Sequence, residues 1–161
     1  MNVLSNRFAF VFYMVAFVLV FVAGTRMVNF ALDFRLYKDF MVPWETAYDK
    51  SRRVPATWPV FQGDNHVAHM EDLVRIMKQN GISAPASNTD RAFIFEMRKF
   101  WQRNRKIFIL CHNNHLILYG LSVSTTMRID RFVDERADIR NGRFTAEPSK
   151  DTQTYIGNWR L

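Results

Sequence analysis

The sequence predicts an α+β protein: one N-terminal transmembrane helix with an amphipathic extension, then a small domain of helix, antiparallel β-meander, helix and C-terminal hairpin. Three observations support this class: an uncharged apolar run near the N-terminus, amphipathic helical patterns, and two β-type apolar runs around a short turn. The 161 residues are 48% hydrophobic and 23% charged, which excludes an intrinsically disordered chain. A single cysteine excludes a disulfide framework.

The apolar run covers residues 8–25, which carry no charge. At 1.5 Å per residue these eighteen positions extend about 27 Å, close to the ~30 Å thickness of a bilayer's hydrocarbon core. We expect a helix here, because lipid offers no partner for free backbone N–H and C=O groups. The side chains expected in the membrane span include Phe8, Phe12, Phe17 and Phe21.

A cleaved signal peptide is the alternative, with Arg7 at its charged end and cleavage after Ala23. The uncharged run is longer than a usual signal-peptide core, and Phe21 stands where cleavage after Ala23 needs a small residue. An uncleaved signal-anchor is therefore favoured. Its orientation is weakly specified, because basic residues flank both ends; we place the domain on the extracytoplasmic side, which is the periplasm in a bacterium.

An amphipathic pattern follows the apolar run. Phe30, Phe34, Tyr37 and Met41 recur at helical spacing, with charged residues between them. We expect this helix to end at Pro43, since proline removes a backbone donor and disfavours helix in the residue before it. The extension would lie along the membrane surface or pack on a partner.

The domain begins with a predicted helix over residues 66–80. Asp64 or Asn65 is its expected N-cap, its apolar residues follow the helical period, and Gly81 ends it. Residues 92–101 fit either a strand or a helix, and the neighbouring strands favour a strand.

The clearest β pattern is a hairpin. Residues 107–110 and 116–119 are apolar runs on either side of Asn113 and Asn114, and asparagine tolerates the positive φ of a two-residue turn.

A second helix is expected to follow, capped by Ser122 or Ser124. The dipeptide Asn141-Gly142 then either ends that helix or turns another hairpin. Residues 143–146 and 154–159 are expected to pair as a C-terminal hairpin.

The four histidines form two pairs, His66 with His69 on the first domain helix and His112 with His115 across the hairpin. Each pair shares a face, so the two pairs could together hold Zn²⁺ or Cu²⁺. The competing interpretation, which we favour, makes them polar ends of a helix and a turn. Cys111 points to the opposite face of its strand and is expected to be a buried structural thiol.

A basic stretch interleaved with Phe100 and Trp101 precedes the hairpin. The simplest interpretation is a solvated turn, and contact with an anionic lipid surface is the next. The residues expected at such a surface are Arg98, Lys99, Arg103, Arg105 and Lys106.

No phosphate-binding glycine loop, metalloprotease helix or paired-cysteine motif occurs in the sequence. We therefore expect a non-catalytic, single-pass membrane protein without a cofactor, an accessory or assembly subunit of a larger membrane complex. Its expected partners are the lipid bilayer and other membrane-protein subunits, not nucleic acid. The alternatives are a His-pair metal-binding or sensory domain and a module that binds anionic membrane surfaces.

The chain divides into an anchor with its juxtamembrane helix (1–42), a Pro-rich connector (43–65) and a soluble α+β domain (66–161).

Overall fold

The structure, a computed structural model, describes residues 3–136 and 138–161. These residues form a long N-terminal helix, a five-stranded antiparallel sheet and two further helices, which confirms the predicted α+β class. The long helix comprises α1 (Val3–Arg35), a π-helical segment (Leu36–Met41) and α2 (Val42–Arg52). The other elements are α3 (His66–Gln79), β1 (Ile94–Met97), β2 (Arg105–His112), β3 (His115–Leu121), α4 (Val123–Asp134), β4 (Phe144–Pro148) and β5 (Tyr155–Arg160).

The prediction that the helix ends at Pro43 is wrong, because the helix continues to the end of α2. The π-helical segment ends two residues before this proline, and there the Val42 N–H donates to the Tyr37 carbonyl five residues back. The wider turn accommodates a ring that would clash with the preceding turn of a regular α-helix. Trp44, fully buried, holds the continuation against the domain. The first part of the expected connector 43–65 is therefore helical.

The sheet has the strand order β1-β2-β3-β5-β4, with each neighbouring pair antiparallel. The predicted hairpin is confirmed as β2–β3, and Asn113 and Asn114 turn it with φ of 43° and 68°. Positive φ at both central residues is what a type I′ turn requires. The ambiguous stretch 92–101 contains β1, which confirms the strand, and β4–β5 form the predicted C-terminal hairpin.

The last helix ends earlier than the Asn141-Gly142 dipeptide. Glu135, in the left-handed conformation with φ of 60°, caps α4. The side chain of Asp134 then accepts backbone N–H bonds from Arg143 (3.0 Å) and Phe144 (2.8 Å). Asn141-Gly142 therefore neither ends the helix nor turns a hairpin; it lies in the loop that this carboxylate ties to α4.

The core lies between the sheet and the long helix. Leu36, Phe40, Met41 and Trp44 are fully buried there, in one cluster with the inward residues of the strands. The Phe40 ring lies 5.1 Å from that of Phe95 on β1. The segment expected to lie outside the domain thus supplies much of its core.

The amphipathic extension packs on α4, within the same chain. Phe132 of α4 lies 5.5 Å from each of the rings of Phe30, Phe34 and Tyr37. Its aromatic stripe therefore has a partner in the domain itself, where the expectation was the membrane surface or another protein.

Candidate membrane interface

Among the residues that the structure describes, one helix is long and apolar enough to cross a membrane. We call residues 8–25 of this helix the apolar segment. None of its most hydrophobic stretch is buried. The exposed fractions of its phenylalanines run from 47% at Phe21 to 70% at Phe8 and Phe12, with Phe17 at 66%. The domain therefore leaves the apolar segment uncovered.

The same helix enters the domain at Asp33, which is fully buried. Its carboxylate pairs with the Lys99 ammonium at 2.5 Å and with the Arg128 guanidinium at 2.6 Å. Lys99 also donates to the Thr125 hydroxyl at 2.8 Å. A buried charge needs such partners because it has lost its water. This triad of Asp33, Lys99 and Arg128 therefore ties α1, α4 and the chain between β1 and β2 together at one level.

The chain between β1 and β2, residues 98–104, is called the tryptophan loop below. The Asn29 side chain holds it on the helix: its carbonyl oxygen accepts the Phe100 N–H at 3.0 Å, and its amide donates to the Phe100 carbonyl at 3.4 Å. The next residue, Trp101, is 81% exposed. Its ring lies edge-on to the Phe21 ring, with centroids 6.3 Å apart. The loop thus reaches back along the helix to the apolar segment.

The backbone of Trp101 is unusual, with φ of 63°. The left-handed region is uncommon for a bulky residue, because its Cβ approaches the neighbouring carbonyl oxygen. Such outliers concentrate at sites where the direction of a side chain matters. Here this conformation places an indole ring outside the domain, beside Phe21.

The five basic residues predicted at an anionic surface are not equivalent. Lys99 is buried in the triad, so its prediction as a surface contact is wrong: its charge is needed to neutralise Asp33. Burial lowers the Lys99 pKa from its ordinary value, and the hydrogen bond and charge of Asp33 oppose that change. Arg98 is exposed but pairs with Glu96 at 3.2 Å, and half-buried Arg105 donates to the Gln153 carbonyl at 3.4 Å.

Arg103 and Lys106 are the two of this set that face solvent without a hydrogen bond or ion pair among the described residues. Arg103 lies two positions after Trp101 in the tryptophan loop. On the helix, Arg26 is exposed directly after the apolar segment. Exposed positive charge is therefore present both in the tryptophan loop and at the end of the apolar segment.

Three of the four histidines lie around one phenylalanine ring. The Phe61 ring lies 5.0 Å from His66, 5.2 Å from His69 and 5.3 Å from His112. His66 shares a hydrogen bond of 3.3 Å with the Tyr119 hydroxyl. Aromatic packing therefore occupies the space between the two pairs.

His69 has a structural role at the free edge of β2. β1 pairs with residues 105–108 and leaves Cys111 beyond its end. There His69 Nε2 donates to the Cys111 carbonyl at 3.1 Å, and Met70 Sδ accepts the Cys111 N–H at 3.4 Å. The donation fixes the proton of His69 on Nε2, so α3 closes this stretch of sheet edge.

No group of three or more His, Cys, Asp or Glu among the described residues is placed to hold a metal ion. His115 Nδ1 donates to the Asn113 carbonyl at 2.6 Å, which holds that ring at the turn. Metal binding by His66, His69, His112 and His115 stays a prediction with no ligand geometry to support it.

Two groups at the end of β2 nearest the β2–β3 turn, His112 and Cys111, have shifted pKa values. Burial lowers the His112 pKa below 6.5, and the nearby charges of His69 and His115 lower it further. Burial raises the Cys111 pKa well above its ordinary value, so this thiol stays protonated. Cys111 is 1% exposed, which confirms the predicted buried thiol.

The sequence prediction identified the basic stretch and the apolar segment separately but missed Asn29 and Asp33, the residues that join them. Each lies next to a residue of the aromatic stripe, Phe30 or Phe34, and the local pattern does not distinguish them from exposed polar residues. No protein-family model, curated protein or solved structure matches this chain.

Proposed function

We propose that this protein is a single-pass membrane protein with an α+β domain on the extracytoplasmic side, acting as a non-catalytic accessory or assembly subunit of a larger membrane complex. The observation that carries the proposal is the change in burial along one helix. No residue of the apolar segment is buried, whereas from Asp33 onward the same helix contributes to the core of the domain.

The hydrophobic effect supports the membrane location. Transferring a Val, Leu or Phe side chain from water to an apolar environment is worth about 1.5–3 kcal/mol. The exposed large hydrophobic residues of the apolar segment include Phe8, Phe10, Phe12, Val15, Phe17, Leu19, Val20 and Phe21. For these eight side chains the transfer is worth about 12–24 kcal/mol, which is comparable to or larger than the roughly 5–15 kcal/mol stability of a typical domain, and a bilayer provides that environment.

The rigid junction supports a role in assembly. The domain is not joined to the apolar segment by a flexible linker: the helix is continuous, and the triad and Asn29 fix the domain to it. A fixed junction presents the domain in a defined orientation above the bilayer, which suits a subunit that must match neighbouring subunits. The sequence lacks the catalytic motifs named above, which supports a non-catalytic role.

Extraction and co-purification test the proposal. The full chain is expected in the membrane fraction after carbonate washing, and a tagged copy solubilised in mild detergent should bring other membrane proteins with it in fixed proportion. A variant with Phe12→Arg and Phe17→Arg, which interrupts the apolar segment and leaves the domain unchanged, is the control and should remain aqueous. A full-length product in the aqueous fraction would refute the anchor. A monodisperse monomer without partners would refute the assembly role.

Cysteine labelling tests the orientation. Lys150 is exposed in the β4–β5 turn, and buried Cys111 should contribute no background. A Lys150→Cys variant in intact cells should react with a membrane-impermeant maleimide if the domain lies outside the cytoplasm. Reaction only after the cells are permeabilised would place the domain in the cytoplasm.

A further inference from the structure

We infer that the tryptophan loop is a second membrane contact: Trp101 enters the lipid interface beside the apolar segment, and Arg103 binds the headgroups of anionic phospholipids. This inference rests on the proposed membrane anchor. It adds a lipid-binding surface on the domain and a preference for a class of lipid, neither of which follows from the anchor alone.

The depth of Trp101 follows from its contact with Phe21. Phe21 lies four residues before the end of the apolar segment, which is about 6 Å along the helix axis. The Trp101 ring packs against Phe21, so it lies at a similar height along the axis. If the apolar segment is in hydrocarbon, Trp101 reaches the boundary between hydrocarbon and headgroups, where tryptophan is enriched in membrane proteins.

The position of the loop is fixed. The reciprocal hydrogen bonds of Asn29 with Phe100 hold the residue directly before Trp101, and the Lys99–Asp33 pair holds the one before that. Phe100 is itself 52% exposed. Two neighbouring aromatic residues are thus presented outward from a backbone that is fastened to the helix. An exposed aromatic pair is costly in water and favourable at a lipid interface.

The exposed charges favour lipid, rather than another protein, as the partner of this surface. Arg103 is exposed two positions after Trp101 in the loop, and Arg26 is exposed directly after the apolar segment of the helix. A transmembrane helix of another protein would offer them an apolar surface and leave them unpaired, at a cost in free energy. Anionic headgroups offer phosphate oxygens at the height where the apolar segment ends. Arginine can bind a phosphate group through two parallel hydrogen bonds, in a bidentate geometry.

Quenching by brominated lipids tests the position of Trp101. The full chain is reconstituted at low protein density into vesicles of phosphatidylcholine and phosphatidylglycerol whose acyl chains carry bromine near the headgroup end. The fluorescence difference between wild type and Trp101→Phe isolates the Trp101 signal. We expect it to lose most of its intensity, and to lose less when the bromine lies near the chain terminus.

Trp58→Phe is the matched control. Trp58 donates to the Val54 carbonyl beyond the far end of the long helix, and its signal should not depend on bromination. If the chain floats with the vesicles but the Trp101 signal is not quenched, the inference is overturned and the anchor stands. If the chain does not float, the anchor itself fails.

Spin-labelled lipids test the role of Arg103. The wild-type chain should immobilise spin-labelled phosphatidylglycerol at least about twofold more than phosphatidylcholine, because each basic residue near the surface attracts anionic lipid. Arg103→Gln should reduce this ratio. The matched control is Arg53→Gln, an exposed arginine about 40 Å farther along the helix from Arg26, which should leave the ratio unchanged. Equal ratios in wild type and Arg103→Gln would overturn the assignment of Arg103.

Discussion

At the residue scale, Asp33 determines how the helix meets the domain. It is the charged side chain through which α1 contacts both α4 and the tryptophan loop. A buried ion pair adds little net stability compared with apolar residues of the same size, but removing one member leaves the others charged and unsolvated. The triad therefore matters more for the defined position of the loop than for the total stability of the fold.

Asp33→Asn should destabilise the domain by about 3–5 kcal/mol, since it leaves the Lys99 ammonium buried without a counter-charge. Thermal unfolding in detergent, followed by circular dichroism, measures the loss. Asp39→Asn is the control, because its pair with Arg35 is exposed and should contribute less than about 1 kcal/mol. The double variant Asp33→Leu/Lys99→Met should recover part of the loss. Equal stability of Asp33→Asn and Asp39→Asn would contradict the structural role of the triad.

Trp101→Gly should be more stable than Trp101→Ala by about 1 kcal/mol. Glycine adopts the left-handed conformation freely, whereas alanine keeps the Cβ that makes φ of 63° unfavourable. Both variants remove the same exposed ring, so their difference isolates the backbone cost. Chemical denaturation of the two variants side by side gives the value. If the two free energies of unfolding agree, the left-handed backbone carries no strain.

The roles of Asp33 and Lys99 could not be predicted from local sequence. Asp33 stands among Arg35, Lys38 and Asp39, a pattern typical of a solvated helix face. Its buried partner Lys99 lies 66 positions later, inside a stretch that reads as a basic surface. Only the packing of α1 on the domain distinguishes these two charges from their exposed neighbours.

At the element scale, the features predicted correctly are those determined by neighbouring residues. Asn113 and Asn114 specify the β2–β3 turn through their own backbone preferences. Asn65 caps α3 by accepting the Ala68 N–H at 3.0 Å, as its position before the apolar stripe predicts. The course of the helix past Pro43 depends instead on the π-helical turn and on core packing, which a local rule for proline does not include.

The β2–β3 hairpin and α3 should lose stability in mild acid because of His112. Its pKa is below 6.5 in the folded state, first because of burial and then because of His69 and His115. As the pH falls through 6.5, the unfolded chain therefore binds a proton before the folded chain does, so the free energy of unfolding decreases. The decrease ends once the pH is below the folded-state pKa.

Unfolding free energies measured at a series of pH values below neutrality test this dependence. Wild type should lose stability over the interval that starts near pH 6.5, and His112→Gln should show a shallower decrease. The difference between the two curves isolates His112 from the other histidines. A wild-type curve that is flat there, or that rises toward acid, would contradict the expected direction.

At the scale of the whole molecule, one long helix contains both the proposed anchor and a large part of the core. The apolar segment contacts the domain through Phe21 and Trp101, while Leu36, Phe40 and Met41 are fully buried beneath the sheet. The boundary of the folded unit therefore lies within α1, before Asp33, and not at the proline where the sequence pattern changes. A hydrophobic pattern indicates a candidate membrane helix, but it does not show at which residue that helix joins the folded domain.

Two shortened chains distinguish the role of the long helix as an anchor from its role in the core of the domain. A chain of residues 26–161 keeps Asn29, Asp33 and the whole core, and should fold cooperatively and remain soluble without detergent. A chain of residues 43–161, which begins at Pro43, loses Leu36, Phe40 and Met41 as well as Asp33. Each large buried side chain lost costs about 2–5 kcal/mol, so the three together exceed or match the stability of an ordinary domain.

We therefore expect the 26–161 chain to give a dispersed NMR spectrum and a sharp thermal transition, and the 43–161 chain to give neither. Adding a synthetic peptide of residues 26–42 to the shorter chain should restore part of the native signal, because the missing helix contributes its contacts without a covalent link. Independent folding of the 43–161 chain, with the same spectrum as the longer one, would show that the helix only tethers the domain.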